Sequence, residues 1–503
     1  MSEKKTKTLM TLIILILTVS FTQLTVGAPS DSALENSGSV TVGSSGNVFH
    51  TPITVNTPNI LYDAQKATVS VYTDGVNYYA KNETTGLVQT TSTNASYLVN
   101  SLVANGSSIL FAAGTYQFNA PIAVSGNLFT SFAGQGNSTI LNMTASSTGP
   151  IFAISSDGFT TIANMKLQNL NPPLTNKLIQ LVTPASNVYI QNLVLNDTGP
   201  SSSDAINSWG YPTPVRNLQV LNCQINVPFA FGIYLHYTYN VLVDGNQFLS
   251  VAYAALGSES ESFNVTAENN VVNWSGDTGF DFELVDANCP NYSTWTYSII
   301  DNTIIRTHGS AIFCIDSHNG LIAGNHILNS TGVGGNGAIV FATDTNVPSG
   351  NDVNGSIIYG NVISDVYYGI NAYGENGRTI SNVIIMDNSI SNCQNSGIIL
   401  GGWSSYLYIK DNNVSDTSLS LKNQFDGITN EGAGYSVFSG NIISNSNSQM
   451  RNGYWEDWYD YNNITDNIFQ GIQYAVNITS GATHDTISGN IYYSIVKIQV
   501  SYQ

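Results

Sequence analysis

At 503 residues, 42% hydrophobic but only 9% charged, the chain has ample material for a core, and its coat must be built mainly from Asn, Ser, Thr and Tyr. Fourteen Lys and Arg against 33 Asp and Glu leave a formal charge of −19, which speaks against nucleic acid or anionic membrane as a partner and favours cations. The four cysteines, Cys223, Cys289, Cys314 and Cys393, have no metal-ligand spacing and no C-x-x-C.

Residues 1–28 carry Lys4, Lys5 and Lys7, an apolar run, and small residues at Gly27 and Ala28, the pattern of a signal peptide. The run is nearly long enough to span a bilayer, so an uncleaved anchor is the alternative; no other segment could cross a membrane. Sequons such as Asn82, Asn94, Asn142, Asn264 and Asn477 are compatible with an exported glycoprotein. Residues 29–59, rich in Ser, Gly, Asn, Thr and Pro, read as a flexible arm or linker.

Between 60 and 105 the pattern predicts a hairpin turning at Asp74-Gly75 and a helix over 94–103, with Ala95, Leu98, Val99 and Leu102 on one face. Such a helix would close the open end of a solenoid. Over 106–503 an Asn, usually after Gly or Asp, returns about every 23 to 36 residues, at positions including Asn164, Asn192, Asn222, Asn246, Asn302, Asn325, Asn361, Asn412, Asn441 and Asn490. Each repeat reads as strand, tight Asn turn, strand and variable loop. Asn tolerates left-handed backbone and can bond to stacked copies of itself. The fold class is therefore all-β: a right-handed parallel β-helix (solenoid) of thirteen or so rungs, by order of magnitude, with an N-terminal hairpin and capping helix. Cys289 and Cys314, one repeat apart, are the pair able to cross-link adjacent rungs; otherwise the thiols are buried and free.

The stretches Ser108-Ile-Leu-Phe-Ala-Ala-Gly114-Thr115-Tyr116 and Phe132-Ala-Gly134-Gln-Gly136-Asn-Ser138-Thr139-Ile140-Leu141, after the helix at Ala95, resemble the opening of the pectate-lyase-like superfamily of right-handed β-helices. The resemblance implies the fold first and carbohydrate chemistry second, since members also serve as tailspikes, surface-layer proteins and metal-delivery factors. The polygalacturonase signatures Gly-His-Gly and Arg-x-Lys are not present, and Thr307-His308-Gly309 is only an echo.

Alternation along the strands then predicts the outward side chains. With Ile233 and Leu235 inward, Tyr234 and His236 face out; with Phe280 and Phe282 inward, Asp281 and Glu283 face out. Ala311, Phe313 and Ile315 inward would put Asp316 outward. Tyr373, Glu375, Trp403, Glu431, Trp455 and Asp457 complete one long face of carboxylates and aromatic rings, as a saccharide groove needs. Asp281, Glu283 and Asp316 are the candidate catalytic and metal-binding cluster, with Ca2+ the expected ion. In a lyase the ion would neutralise a uronate, and Arg306 or His308 would take the C5 proton. A solvated acidic strand is the bland alternative, with His236 and His308 as surface histidines. The expected protein is secreted or cell-surface, binds and cleaves a polysaccharide as a lyase or glycoside hydrolase, and is a monomer or trimer. A non-catalytic surface, sheath or adhesion protein is the alternative, and copper or other metal delivery a third.

Overall fold

The computed structural model describes residues 39–41, 48–50 and, with short gaps, 67–500. Two compact units divide the chain, Met1–Ile53 and Thr54–Gln503. In the first, Ser39–Thr41 pairs antiparallel with Val48–His50. The signal segment 1–28 and the rest of the arm lie outside the described residues.

The second unit is a parallel β-helix whose coils carry three strands. One coil runs through Tyr408–Lys410, the corner Asp411-Asn412, Asn413–Ser415, a loop, and Ile428–Asn430. Stacking builds two long sheets of fifteen strands, one from Gly114–Phe118 to Ile491–Tyr493 and the other from Ile122–Ser125 to Lys497–Val500. A third sheet holds the strands before each Asn corner, and a four-stranded sheet from Val353–Asn354 to Ala433–Gly434 lies between the second and third. The strand of the second sheet is one more per coil than the Asn spacing predicts, because its coils enter through loops of uneven length that blur the period.

The core is the inside of the coil, filled by single columns of aliphatic and aromatic side chains. Ile398, Ile428 and Tyr454 form one column, each 0–1% exposed. The Asn ladder is real and begins at Asn246. Each Oδ1 accepts from the backbone N–H of the ladder Asn before it, in an unbroken series through Asn270, Asn302, Asn325, Asn361, Asn388, Asn412, Asn441, Asn467 and Asn490. Left-handed backbone falls on the residue before it, as at Gly324 (φ 65°), Asp387 (φ 55°) and Asp411 (φ 55°). Asn164, Asn192 and Asn222 occupy that earlier position themselves (φ 57°, 54° and 52°), so the ladder position falls to buried Met165, Leu193 and Cys223.

At the open end the strands Val69–Thr73 and Tyr78–Asn82 form the hairpin, with Thr73 opposite Tyr78. Its loop is 74–77 rather than two residues, because the Asp74 carboxylate accepts from the N–H of Val76 and Asn77 and from the Tyr79 hydroxyl. The helix is Ala95–Asn100, capped by Asn94, whose Oδ1 accepts from Tyr97 N–H at 3.0 Å. It buries Ala95, Leu98 and Val99, as the apolar spacing predicts.

A second corner, entering the third sheet, is also left-handed. Asn187, Asn217, Asn240 and Asn264 take it early in the rod and are linked by side-chain amide bonds of 2.9–3.1 Å. Later, Tyr406, Tyr435, Tyr461 and His484 take it, half exposed, with ring centroids 5.6, 5.0 and 4.7 Å apart. A β-carbon in that conformation costs about 1–2 kcal/mol, and ring stacking offsets about 0.5–1.5 kcal/mol of it. Tyr435→Asn is therefore expected to change stability by less than about 1 kcal/mol, because Asn accepts the corner at lower strain. Tyr435→Ala keeps the strain, loses the stack, and should be destabilised by about 1 kcal/mol in urea unfolding.

Cys223, Cys314 and Cys393 are buried free thiols, each pushed up to about 12 by burial. Cys314 thus makes no cross-link; Cys289 lies outside the described residues.

Candidate functional site

The outer face of the second sheet carries most of the side chains singled out above. Tyr234 is half-buried near Trp209. His236 points to the same side but is 1% exposed, because the Trp209 indole lies flat on it at 4.0 Å and 2° and its Nδ1 donates to the Gly210 carbonyl at 3.0 Å. It is a packed histidine rather than an open groove residue.

Asp281 and Glu283 do share one outward face of Phe280–Glu283, while Phe280 and Phe282 are fully buried. The next strand departs from the expected alternation: Ile312 and Cys314 point in, and Phe313 and Ile315 face the outer side. Buried Ala311 precedes the strand, and this one-residue offset reverses every side chain. Phe313, not a carboxylate, therefore stands in register with Asp281. Asp316 lies past the strand end in left-handed backbone (φ 51°), fully buried, with Arg378 Nη1 3.9 Å from its Oδ2. Exposed His308 stands beside Asp277, whose carboxyl burial pushes up while His308 opposes the shift; Arg306 is exposed at the same corner. The cluster of five thus separates into an Asp281–Glu283 patch, an Asp316–Arg378 pair and a corner with Arg306 and His308.

Among the described residues no three His, Cys, Asp or Glu side chains stand where one ion could bind them.

Tyr373 is half-buried on Tyr368–Gly374, and Glu375 is exposed just past its end. Trp403, 56% exposed, follows Ile398–Gly402 and sits at the corner rather than on the sheet face. Glu431, Trp455 and Asp457, in contrast, are brought together on neighbouring coils. Thr429 is in register with Ile399 on one side and Trp455 on the other. Glu431 and Asp457 follow their strands on the same side, two residues beyond Thr429 and Trp455.

Here a cleft of about 280 Å³ opens, walled by Tyr368, Ile399, Phe425 and Trp455. At its floor is Asp426, 1% exposed. Arg451 grips its carboxylate in a fork, Nε–H to Oδ1 at 3.0 Å and Nη2–H to Oδ2 at 2.7 Å, and Asn452 donates its backbone N–H and side-chain amide to Oδ1 at 3.0 and 2.7 Å. Thr429 Oγ1 donates to Oδ2 at 3.3 Å and lies 2.8 Å from Ser396 Oγ. Burial pushes the Asp426 carboxyl upward although Arg451 and Asn452 oppose it. The Arg451 guanidinium also lies 5.5 Å from the centre of the Trp455 ring. Glu431, on the rim, is raised first by burial and then by the charges of Asp426 and Asp457. Asp457 accepts from Thr479 Oγ1. The cleft thus holds a carboxyl pushed above its ordinary pKa, a nearby carboxylate, and apolar walls.

The family described as periplasmic copper-binding protein (NosD) matches residues 185–348, less than half of the chain. No curated protein sequence matches it. Among solved structures, the A-module of the Azotobacter vinelandii mannuronan C-5 epimerase AlgE6 is similar at 12% identity and TM-score 0.48, over 79% of this chain and 94% of that one. The catalytic domain of a GH87 alpha-1,3-glucanase with bound tetrasaccharides is similar at 15% identity and TM-score 0.40, over 81% and 66%. A bacteriophage CBA120 tailspike protein is similar at 10% and 0.38, over 82% and 60%. Three parallel sheets wound as one coil and a helix closing the N-terminal end decide the fold. The chain is a parallel β-helix.

Within this β-helix, Asp426, Arg451, Tyr368 and Phe425 are the cleft residues that alternation alone misses, because they precede or begin strands. A signal exists: Gly397, Gly427 and Gly453 each come just before an inward residue and approach the carbonyl oxygen of a neighbouring coil. Aligning repeats on these glycines stacks Ser396, Asp426 and Asn452 and places Arg451 beside Asp426.

Proposed function

We propose that this protein is an exported polysaccharide-binding β-helix that cleaves its ligand at the cleft between the coils of Asp426 and Arg451. The observation that carries the reading is the meeting of Tyr368, Phe425 and Trp455 with Glu431 around one cleft, with the charge of Asp457 close enough to act on Glu431. Aromatic faces cover the apolar side of pyranose rings, while a carboxyl with a raised pKa beside a second carboxyl group is the equipment of general acid and base catalysis. Asp426 and Arg451 satisfy one another and shape the floor. The Asp281–Glu283 patch and Tyr373 lie along the same sheet face and would extend contact with a long chain.

Copper carriage, which the NosD description raises, fits these residues poorly. The described thiols are sealed in the core, and no donor group of three converges among the described residues. Export rests on residues 1–28, and the mature chain is expected to begin near Ala28 to Ser30; intact mass of the secreted protein checks this, and a membrane-bound product retaining Lys4 would contradict it.

Binding measured on a glycan panel, together with release of reducing ends, tests the function. Wild type should bind and cleave at least one polymer. Trp455→Ala should weaken binding by roughly tenfold or more, the loss of one stacking platform. Glu431→Gln should bind but not cleave. Wild-type cleavage should also fall as pH rises through the raised Glu431 pKa, since only the protonated form donates. Binding without new reducing ends in wild type would instead favour the non-catalytic surface protein.

A further inference from the structure

Resting on the reading of this cleft as a glycan site, we infer that its substrate is a glycan without carboxylate or sulfate groups, and that the cleavage is hydrolysis with Glu431 as proton donor and Asp457 as base.

Charge decides the first part. An anionic sugar chain needs cationic partners, and a bidentate guanidinium is the usual one. Arg451 is the one basic residue lining this cleft among the described residues, and its Nε–H and Nη2–H are already spent on Asp426 at 3.0 and 2.7 Å. Asp426 cancels that charge. Even with Glu431 protonated as a donor, Asp457 beside it leaves the opening negative, on a chain whose formal charge is already −19. A polyuronate would meet like charge within a partly desolvated site. The walls offered by Trp455, Phe425 and Ile399 suit the apolar faces of uncharged pyranose rings, and an amino sugar would meet favourable charge at the same rim.

The reaction class follows from the substrate. Elimination requires an acidic proton next to the carboxyl or ester carbon of a uronic acid, which neutral glucans, mannans and chitosan lack. Hydrolysis does not. The Glu431 carboxyl gives its proton to the glycosidic oxygen as the C1–O bond breaks. Water adds to C1, its proton passing to Asp457, and one new reducing end and one free hydroxyl result. Partial burial and the neighbouring carboxylates Asp426 and Asp457 push the Glu431 carboxyl above its ordinary pKa, the direction a donor needs.

The test compares three arms on the full secreted chain: neutral glucans and mannans, chitosan oligosaccharides, and polygalacturonate or alginate with and without Ca2+. Binding is expected in the neutral or chitosan arm and weaker by on the order of tenfold for the acidic polymers. Products should be reducing ends without absorbance from an unsaturated sugar. Glu431→Gln with Asp457→Asn should narrow the discrimination, raising affinity for the acidic polymers severalfold while leaving the melting temperature near that of wild type. Tightest binding of a polyuronate by wild type, lost in Trp455→Ala, would overturn the substrate class and keep the cleft as a glycan site. Equal exclusion of acidic polymers by wild type and the double variant would show that these charges do not set it. No binding in any arm would remove the glycan reading itself.

Discussion

Asn361→Leu is expected to lower stability by roughly 3 kcal/mol or more, since each buried hydrogen-bonding group left unmade costs about 1–3 kcal/mol. The fully buried Asn361 side chain holds two neighbours at once: its Oδ1 accepts from Asn325 N–H and Nδ2, and its Nδ2 donates to the Ile322 carbonyl and to Asn388 Oδ1. Leucine fills the space but leaves the Asn325 N–H and the Ile322 carbonyl facing an apolar group in the core. Asn413→Thr, on an exposed strand position one residue past the ladder, should change stability by less than about 0.5 kcal/mol. Equal urea midpoints for the two variants would refute the ladder as a structural element.

The second large effect belongs to Arg451→Met. Removing the guanidinium strands the Asp426 carboxylate, 1% exposed, with only Asn452 and Thr429 to hold it. Breaking a fully buried pair costs about 3–5 kcal/mol; with the Arg451 side chain 38% exposed, roughly 2–4 kcal/mol is the expected loss near neutral pH. Its pH dependence has a definite sign. Asp426 is raised already, and losing Arg451 raises it further. A carboxyl whose folded pKa exceeds its unfolded one contributes stability below the unfolded pKa, and loses it as pH rises through the folded pKa. The defect should therefore be smallest in acid and grow toward neutrality. A defect independent of pH would mean that packing, not the stranded charge, causes it.

The architecture was legible because one residue type marks it. Asn after Gly or Asp repeats where the chain must turn through left-handed backbone, and the ladder that follows reads directly from Asn246 to Asn490. What misled was the shift at Asn164, Asn192 and Asn222, where the same residue serves the neighbouring position for a different reason. The capping helix was legible from Asn94 and three apolar residues, and the hairpin loop was misjudged because the Asp74 carboxylate stabilises a longer turn than Asp-Gly suggests.

The site was harder. Alternation is reliable only while a strand keeps its register, and at Ile312–Ile315 a one-residue offset moved Phe313 into the place expected to be polar. Trp403 and Asp316 lie beyond strand ends, where period-two reasoning no longer applies. Glu431 and Trp455 fall at the cleft, with Asp457 near them, because all three stay close to regular strands. Asp426 and Arg451 were missed because the pair arises between coils 25 residues apart, and such pairing is visible only once the repeats are aligned.

Hydrogen–deuterium exchange with and without a bound oligosaccharide tests the central claim most directly. The glycan cleft predicts protection concentrated in 424–431 and 451–457, abolished in Trp455→Ala. Protection confined to 280–283 and 312–316, or spread along the rod and unchanged in Trp455→Ala, would place the ligand elsewhere and contradict the account.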